Sequence, residues 1–382
     1  MSIAVYAGSF DPITIGHLDI IEQAAKIFDK VVVLVASNAD KLSGMFPYED
    51  RRDMIDHSVS HLHNVESDIL KGGYTVHYAE RIGATALIRG LRDEADFEPE
   101  QQNFIFNNFA SPGVSTIIFM ARPDIAHISS SYVKKNCIGI SGWTDIIGKY
   151  VPEAVKSHVQ REYLYKIYRS CMSNEDNGLF LRIEEHLCNR KRHYHNESHV
   201  INMYDELTDF FRYGQLTSDN ESEYWPRISA IVALFHDYHI ESDTMQDGKT
   251  RYGNSAQEAS ANELTSTFGE ACDFARTHHI RIKEIIMATA HRPEEKEYTP
   301  QAKAILDADL AILGQPQEIY NKYMAGIRKE YDFVPDEEFN IGRKKVLEGF
   351  LGREPIYQTE FFREKYESRA RENLSGELGK YL

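Results

Sequence analysis

The sequence predicts two domains of different class: an α/β domain with a parallel sheet over residues 1–160, then an all-helical domain over residues 175–382. Three observations lead to this prediction. The chain has 382 residues, enough for more than one hydrophobic core. Short β-branched runs alternate with amphipathic stretches in the first third of the chain, and these runs stop after about residue 150. The sequence that follows shows long helical patterns rich in Glu, Lys, Arg, Tyr and Leu.

Four short apolar runs predict the strands of the first domain. The runs IAVYAG, VVVLVA, ALIRG and TIIFM begin at Ile3, Val31, Ala86 and Thr116. Between the first two runs, apolar residues recur at helical spacing after Gly16. Strand, helix and strand in this order predict a right-handed βαβ unit, and therefore parallel pairing.

The second domain is predicted from helical patterns such as those over residues 159–169 and 320–329. The segment over residues 170–178, SCMSNEDNG, is polar and is a candidate linker. We therefore expect the boundary between residues 157 and 178.

Charge and cysteine content exclude several classes of protein. The chain carries 59 acidic and 43 basic side chains, and residues 1–160 hold 20 and 14 of them, so neither half is basic. This balance argues against nucleic acid as the main partner. Four cysteines without a CxxC pair predict neither a disulfide framework nor a thiolate zinc site, which fits a reducing cytoplasm. The longest strongly apolar run, residues 31–36, is too short to span a membrane, so we expect a cytoplasmic protein without a membrane partner.

The first predicted strand is followed directly by GSFDPITIGH, residues 8–17. Gly8 and Gly16 permit close backbone approach, and His17 falls at the start of the next helix, where free N–H groups attract an anion. A lone histidine at a helix start more often caps or packs, but the whole decapeptide favours a phosphate site.

This decapeptide resembles the signature of the nucleotidylyltransferase superfamily, and residues 1–158 resemble the phosphopantetheine adenylyltransferases. SNADKLSGMF, LIRGLRDEADFEPE and ISSSYVK, at residues 37–46, 87–100 and 128–134, follow in the order of that family. The resemblance implies a Rossmann-like sheet, a homo-oligomer, and adenylyl transfer from ATP with Mg²⁺ to 4′-phosphopantetheine. Pro99 and a longer loop at residues 40–44 depart from the family pattern. Another phosphorylated acceptor, such as nicotinamide mononucleotide, therefore stays open.

Adenylyl transfer builds negative charge around one phosphorus, so its catalysis depends on positioning and electrostatic stabilisation. By the resemblance, the catalytic residues are His17, Lys41 and Arg89, and the residues that bind ATP or the acceptor are Ser9, Phe10, Arg92, Glu100, Ser129, Ser130 and Ser131.

The second half concentrates histidine and aspartate in four segments: HYHNESH, ALFHDYH, ATAH and LDADL. His195 and His199 are four residues apart, so on a helix both face one side. The adjacent His236 and Asp237 lie in an apolar helical run, where such a pair needs a partner that satisfies it. For any single histidine a core pair without metal is the better interpretation, but the whole set favours a metal. Imidazole and carboxylate ligands fit Mn²⁺, Fe²⁺, Mg²⁺, Co²⁺, Ni²⁺ or Zn²⁺.

Residues 180–378 resemble the HD superfamily of metal-dependent phosphohydrolases, in a branch that also carries E.S and GR..VL..FL motifs. The resemblance implies an all-α HD domain that acts on a phosphorylated, nucleotide-like small molecule; the alternative is a module that only senses a nucleotide. The implied metal ligands are His199, His236, Asp237 and Asp309, with His195, Glu258, His291 and Asp307 as supporting residues. Candidate phosphate partners are Lys191, Arg192, Arg292, Arg328 and Arg343.

Overall fold

The computed structural model describes residues 1–36, 44–91, 96–138, 142–172, 177–213, 224–240, 245–246, 249–250, 256–268, 273–291 and 297–381. The chain divides into two compact units, Met1–Val159 and Gln160–Leu382. Within the described ranges, every helix is too short or too polar to cross a lipid bilayer.

The N-terminal unit is built on a five-stranded parallel sheet. Its strands are β1 (Ile3–Gly8), β2 (Lys30–Ala36), β3 (Val65–Leu70), β4 (Ala86–Leu91) and β5 (Ser115–Met120). The strand order is β3-β2-β1-β4-β5, which is Rossmann-like. The four predicted runs form β1, β2, β4 and β5, whereas β3 (VESDIL) was not predicted. It lies at a sheet edge with only one neighbour, so it does not need the continuous apolar sequence of the central strands.

Helices accompany this sheet: α1 (Ile15–Ala25), α2 (Tyr48–Ser58), α3 (Thr75–Arg81), α4 (Phe97–Ala110), α5 (Ser130–Asn136) and α6 (Trp143–Ile146). Part of the core lies where Val5, Val32 and Leu87 of three neighbouring strands pack against Val76 of α3. The sequence order reverses between β1 and β4, so the connections leave the sheet in opposite directions there. Such a switch point opens a crevice at the carboxyl ends of the strands.

The C-terminal unit is largely helical. Helix α7 (Glu153–Cys171) runs from the first unit into the second, and it is followed by α8 (Asn177–Leu187), α9 (Glu197–Tyr213), α10 (Trp225–Phe235), α11 (Ala256–Glu263), α12 (Asp273–Thr277), α13 (His279–Ala288), α14 (Pro300–Asp309), α15 (Gln317–Glu330), α16 (Asp336–Leu351) and α17 (Glu360–Leu378). The all-helical expectation needs one correction, because β6 (Met245–Gln246) pairs antiparallel with β7 (Lys249–Thr250). The segment predicted as a linker contains the end of α7 and the start of α8.

Helix α10 lies at the centre of this unit. Its segment from Ile228 to Phe235 is buried on all sides, as expected for a helix that is apolar all round. Helices α9, α13 and α14 pack against it. The beginning of α9 and the ends of α10 and α14 carry the histidine and aspartate residues singled out in the sequence.

Candidate functional sites

A cavity of about 560 Å³ opens at the carboxyl ends of β1 and β4. It is lined by predicted site residues from four separate segments: Ser9, Phe10, His17, Arg89, Glu100, Ser129, Ser130 and Ser131. The cavity therefore lies at the switch point of the sheet, where α/β folds bind their ligands. Lys41 and Arg92 lie outside the described residues.

His17 is fixed at the start of α1 by a capping box. The hydroxyl of Thr14 accepts a hydrogen bond from the His17 backbone N–H at 3.4 Å, and the Thr14 backbone N–H donates to His17 Nδ1 at 3.1 Å. Because Nδ1 accepts, the hydrogen of the neutral ring resides on Nε2. His17 can therefore serve as a hydrogen-bond donor beside a helix N-terminus.

The turn between β1 and α1 is held in an unusual backbone conformation. Phe10 has φ +42°, in the left-handed region that non-glycine residues seldom adopt. Its buried ring packs edge-on against Tyr6 and His17, with centroid distances of 5.4 and 5.2 Å. Gly16 allows the close approach of the next segment, since a Cβ there would lie 2.9 Å from the Ile128 carbonyl oxygen. Phe10 therefore packs against the His17 ring and stabilises the turn.

Arg89 and Glu100 form a bidentate ion pair at the cavity. Arg89 Nε donates to Glu100 Oε2 at 2.5 Å, and Arg89 Nη2 donates to Oε1 at 2.8 Å. The sequence placed both residues at the site but did not predict that they would pair with each other. A phosphate group that binds the Nε and Nη2 edge of Arg89 must replace this carboxylate.

The three serines stand at the beginning of α5. Ser129 is its N-cap and accepts from the Tyr132 backbone N–H at 3.1 Å, and the Ser130 hydroxyl donates to the Pro12 carbonyl at 2.8 Å. Ser131 is exposed and lines the same cavity. Two of the serines thus order the backbone, and all three face the cavity.

The sequence reasoning missed a buried charge network behind this cavity. The Asp11 carboxylate accepts from Lys134 Nζ at 2.7 Å and from the backbone N–H groups of Met45 and Phe46 at 2.9 and 3.0 Å. Arg51 Nε lies 3.3 Å from the same carboxylate. Burial alone would raise the pKa of Asp11, but these donors outweigh it and lower that pKa. The only local signal was Asp11 inside the decapeptide, because its partners are brought in by the fold.

In the C-terminal unit, the structure brings together the four predicted metal ligands. One donor atom from each of His199, His236, Asp237 and Asp309 lies within 4.8 Å of the other three. His199 Nε2 is 3.0 Å from His236 Nε2 and 3.1 Å from Asp309 Oδ1, and His236 Nε2 is 3.0 Å from Asp237 Oδ2. The four side chains come from three helix ends and so converge on one point.

These distances fit a single cation. Ligand atoms about 2.1 Å from a metal are separated by roughly 3.0 Å at right angles and by roughly 3.4 Å in a tetrahedron. His236 Nδ1 lies 3.1 Å from the Val232 carbonyl oxygen, which fixes its hydrogen and leaves the Nε2 lone pair facing the cluster. Burial lowers the pKa of His236, but Asp237 and Asp309 outweigh it and raise that pKa well above its usual value. The site thus favours positive charge between its carboxylates.

Two further histidines support the cluster. His291, with φ +49°, places Nε2 2.8 Å from Asp309 Oδ2. The sequence suggested that His195 and His199 share a helix, and this is wrong. Helix α9 begins only at Glu197, where the Asn196 side chain accepts a hydrogen bond from the Ser198 N–H. Instead, His195 Nδ1 lies 2.6 Å from the buried Glu330 carboxylate, and its Nε2 lies 3.8 Å from Asp237 Oδ2. Glu330 was not found from the sequence, since a glutamate near a helix end gives no signal of its own.

Asp307 takes a different place from Asp309. Its carboxylate accepts from the backbone N–H groups of Gln358 and Thr359 at 2.8 and 2.7 Å and from the Thr359 hydroxyl at 2.7 Å. Burial raises the pKa of Asp307 to about 6, against the effect of these bonds. Asp307 therefore ties the start of α17 to α14. Glu258 lies half-buried on α11.

Three of the arginines expected to bind phosphate have protein partners instead. Arg192 donates to the carbonyls of His195, Asp237 and Tyr238. The guanidinium of Arg328 pairs with Asp336, and that of Arg343 is buried against Glu377. Arg192 thus orders the backbone around the cluster, and the other two join helices. Lys191 is exposed, and Arg292 lies outside the described residues.

Comparison with known proteins bears on the N-terminal unit. A family profile described as Cytidylyltransferase-like matches residues 5–136. A phosphopantetheine adenylyltransferase of Neisseria meningitidis serogroup C is 38% identical over 163 residues, which are 43% of this chain and 95% of the relative. The enzyme of that name from Bdellovibrio bacteriovorus is 40% identical over 42% of this chain and 98% of its own. That from Leuconostoc citreum is 46% identical over 41% and 94%.

These relatives are covered almost completely, and the cavity described above lies within the matched family region. Through its N-terminal unit, the chain therefore belongs to the phosphopantetheine adenylyltransferase family.

Proposed function

We propose that the N-terminal unit transfers the adenylyl group of ATP to 4′-phosphopantetheine and releases dephospho-coenzyme A and pyrophosphate. The observation that carries this proposal is the cavity at the carboxyl ends of β1 and β4, which gathers His17, Arg89 and the α5 serines in a member of that family.

In the proposed reaction an oxygen of the acceptor's phosphate attacks the α-phosphorus of ATP, and the bond to the bridging oxygen of pyrophosphate breaks. His17 donates from Nε2 to the oxygens that gain charge, and the first N–H groups of α1 add positive potential. Arg89 binds phosphate once Glu100 releases the guanidinium edge that it occupies. The hydroxyls of Ser129 and Ser131 and the first N–H groups of α5 hold the triphosphate, while the Ser130 hydroxyl stays on the Pro12 carbonyl. The chemistry that Mg²⁺ would supply, when bound to ATP, is neutralisation of part of the triphosphate charge. No protein nucleophile is required.

Pyrophosphate release from ATP and Mg²⁺ tests this proposal directly. We expect turnover with 4′-phosphopantetheine and little with nicotinamide mononucleotide. Turnover with nicotinamide mononucleotide alone would show that the acceptor is a different phosphorylated molecule, and a lack of pyrophosphate with both would refute the adenylyltransferase proposal.

For the C-terminal unit we propose a metal-dependent phosphohydrolase of the HD type. The observation that supports this proposal is that donor atoms of His199, His236, Asp237 and Asp309 lie within 4.8 Å of one another. A divalent cation held there would lower the pKa of bound water and polarise a phosphoryl oxygen. His291 and His195 would keep the surrounding carboxylates oriented, and Arg192 would fix the backbone between them.

Metal analysis of the purified full chain, with and without added Mn²⁺, Co²⁺ or Zn²⁺, tests this second proposal. We expect about one ion per chain and metal-dependent release of phosphate from a panel of phosphorylated nucleotides. Metal and nucleotide binding without hydrolysis would favour the sensing alternative. A protein that takes up no metal would overturn both versions.

A further inference from the structure

A charge network behind the N-terminal cavity links three segments that are far apart in the sequence. Its members are Asp11 in the turn after β1, Arg51 on α2 and Lys134 in the last turn of α5. The Asp11 and Arg51 side chains are only 4% and 7% exposed, and that of Lys134 is 31% exposed. Two cations and one carboxylate thus meet in a largely buried place, an arrangement that needs close pairing.

Two of the cations around Asp11 are also joined to the lining of the cavity. Lys134 belongs to α5, whose first residues are the cavity-lining serines. Arg51 donates to the Phe46 carbonyl at 2.8 Å and to the Ser9 carbonyl at 3.2 Å, and Ser9 lines the cavity. Gly44 leaves room for this guanidinium, since a Cβ there would collide with it. The network therefore ties the turn to α2 and to α5.

The turn needs such support because of its backbone. Phe10, between Ser9 and Asp11, has φ +42°, and a residue in that region persists only where its surroundings hold it. Arg51 donates to the carbonyl of Ser9, the residue before Phe10, and Lys134 donates to the carboxylate of Asp11, the residue after it. The Ser130 hydroxyl fixes the Pro12 carbonyl at 2.8 Å.

We propose that Asp11, Arg51 and Lys134 are positioning residues for the adenylyl transfer, with Lys134 acting through Asp11 and not by contact with phosphate. This inference rests on the function proposed for the N-terminal unit. Its consequence is that the turn carrying Ser9 and leading to His17 keeps a fixed distance from the serines that hold the triphosphate. Losing the network shifts Ser9 and His17 relative to these serines, but it removes none of the side chains that contact the nucleotide.

The first test compares Lys134→Met, Lys134→Arg and Lys135→Met in the full chain. Lys135 is the matched control, because it is the exposed neighbour of Lys134 on the same helix. We expect Lys134→Met to lower kcat about 10- to 100-fold with little change in the KM for ATP, since small misplacements have effects of that order. Lys134→Arg should restore most of the rate, and Lys135→Met should behave as the wild type.

A double-mutant cycle separates positioning from direct phosphate binding. If Lys134 acts through Asp11, Lys134→Met should have almost no further effect on kcat in an Asp11→Asn background. Additive losses, or a raised KM for ATP with unchanged kcat, would assign Lys134 to phosphate contact and overturn the proposal.

Hydrogen exchange gives a readout that does not depend on activity. Amides of residues 9–11, 13–14 and 45–46 should exchange faster in Lys134→Met than in Lys135→Met, with the melting temperature of both close to that of the wild type. Equal exchange in these segments would refute the network's role. A wild-type protein without turnover would refute the adenylyltransferase proposal instead, and the exchange comparison would still decide whether the network holds the turn.

Discussion

At the scale of single residues, the hydrogen bonds around His17 determine which of its ring nitrogens can donate. The Thr14 backbone N–H occupies Nδ1, so the neutral ring can offer its hydrogen only from Nε2. The first turn of α1 adds the positive potential of a helix N-terminus. Capping and catalysis are thus not competing interpretations of this histidine, because the cap selects the tautomer that the proposed chemistry needs.

We therefore predict that His17→Ala lowers kcat for pyrophosphate release about 100- to 1000-fold, the usual effect of losing one donor to a developing negative charge. Steady-state kinetics with ATP and 4′-phosphopantetheine provide the measurement. An unchanged kcat would exclude His17 from the transition state.

The pair Asp307 and Asp309 gives a second prediction at this scale. Only Asp309 contributes a donor atom to the cluster with His199, whereas Asp307 binds the backbone at the start of α17. Asp309→Asn should reduce bound metal to a small fraction of an ion per chain. Asp307→Asn should retain the metal and destabilise the fold by about 1–3 kcal/mol, because the buried Asp307 carboxylate accepts hydrogen bonds from two backbone N–H groups and a hydroxyl. Elemental analysis and thermal unfolding of both variants check this, and metal loss in Asp307→Asn alone would reverse the assignment.

At the scale of elements, three helices of the C-terminal unit meet at one buried ion pair. Glu377 of α17 accepts from Arg343 of α16 at 2.8 and 3.0 Å and from the hydroxyl of Tyr320 on α15. Burial alone would raise the pKa of Glu377, but the bonds from Arg343 outweigh it and lower that pKa. The stabilisation by this carboxylate is therefore complete above the unfolded pKa of about 4.3 and is lost as the pH falls through the lower folded value.

Glu377→Gln should accordingly reduce the free energy of unfolding by about 3–5 kcal/mol at pH 7, since it leaves Arg343 buried without its counter-charge. The difference from the wild type should begin to shrink as the pH falls below about 4.3, where the unfolded chain binds a proton at Glu377, and should disappear below the lower folded pKa. Calorimetry across this pH range measures it. Glu372→Gln, an exposed change on the same helix, is the control and should have little effect at any pH.

The elements also show what the sequence can and cannot predict. Central strands such as β2 are apolar because both of their faces are buried, and the sequence therefore predicts them. Strand β3 lies at an edge, and its half-buried positions alternate with exposed polar ones, so it has no continuous apolar run to mark it. Metal ligands were suggested by a His-Asp pair in an apolar run, an unusual local pattern. Glu330, Arg51 and Lys134 have ordinary local sequences, and only long-range packing brings them to their partners.

At the scale of the whole molecule, the chain joins two units, each with its own buried core. The proposed sites draw on separate units: His17 lies in the first, and Asp237 lies in the second. We predict that His17→Ala causes the large loss of pyrophosphate release given above and leaves the metal content unchanged, whereas Asp237→Ala removes the metal and leaves pyrophosphate release unchanged. Both properties are measured on the same preparations of the full chain. Loss of both from either change would instead indicate a shared defect of the fold.

The Arg89–Glu100 pair affects which anions can bind in the cavity. Because the guanidinium already has a carboxylate in a two-bond arrangement, a weakly charged anion gains little by displacing it. A polyphosphate offers Arg89 more negative charge than Glu100 does, so in the proposed reaction it would displace the carboxylate and leave it free to accept hydrogen bonds from the same ligand. We therefore expect the ion pair to discriminate by charge, so that abundant simple anions compete poorly with a nucleotide for this cavity.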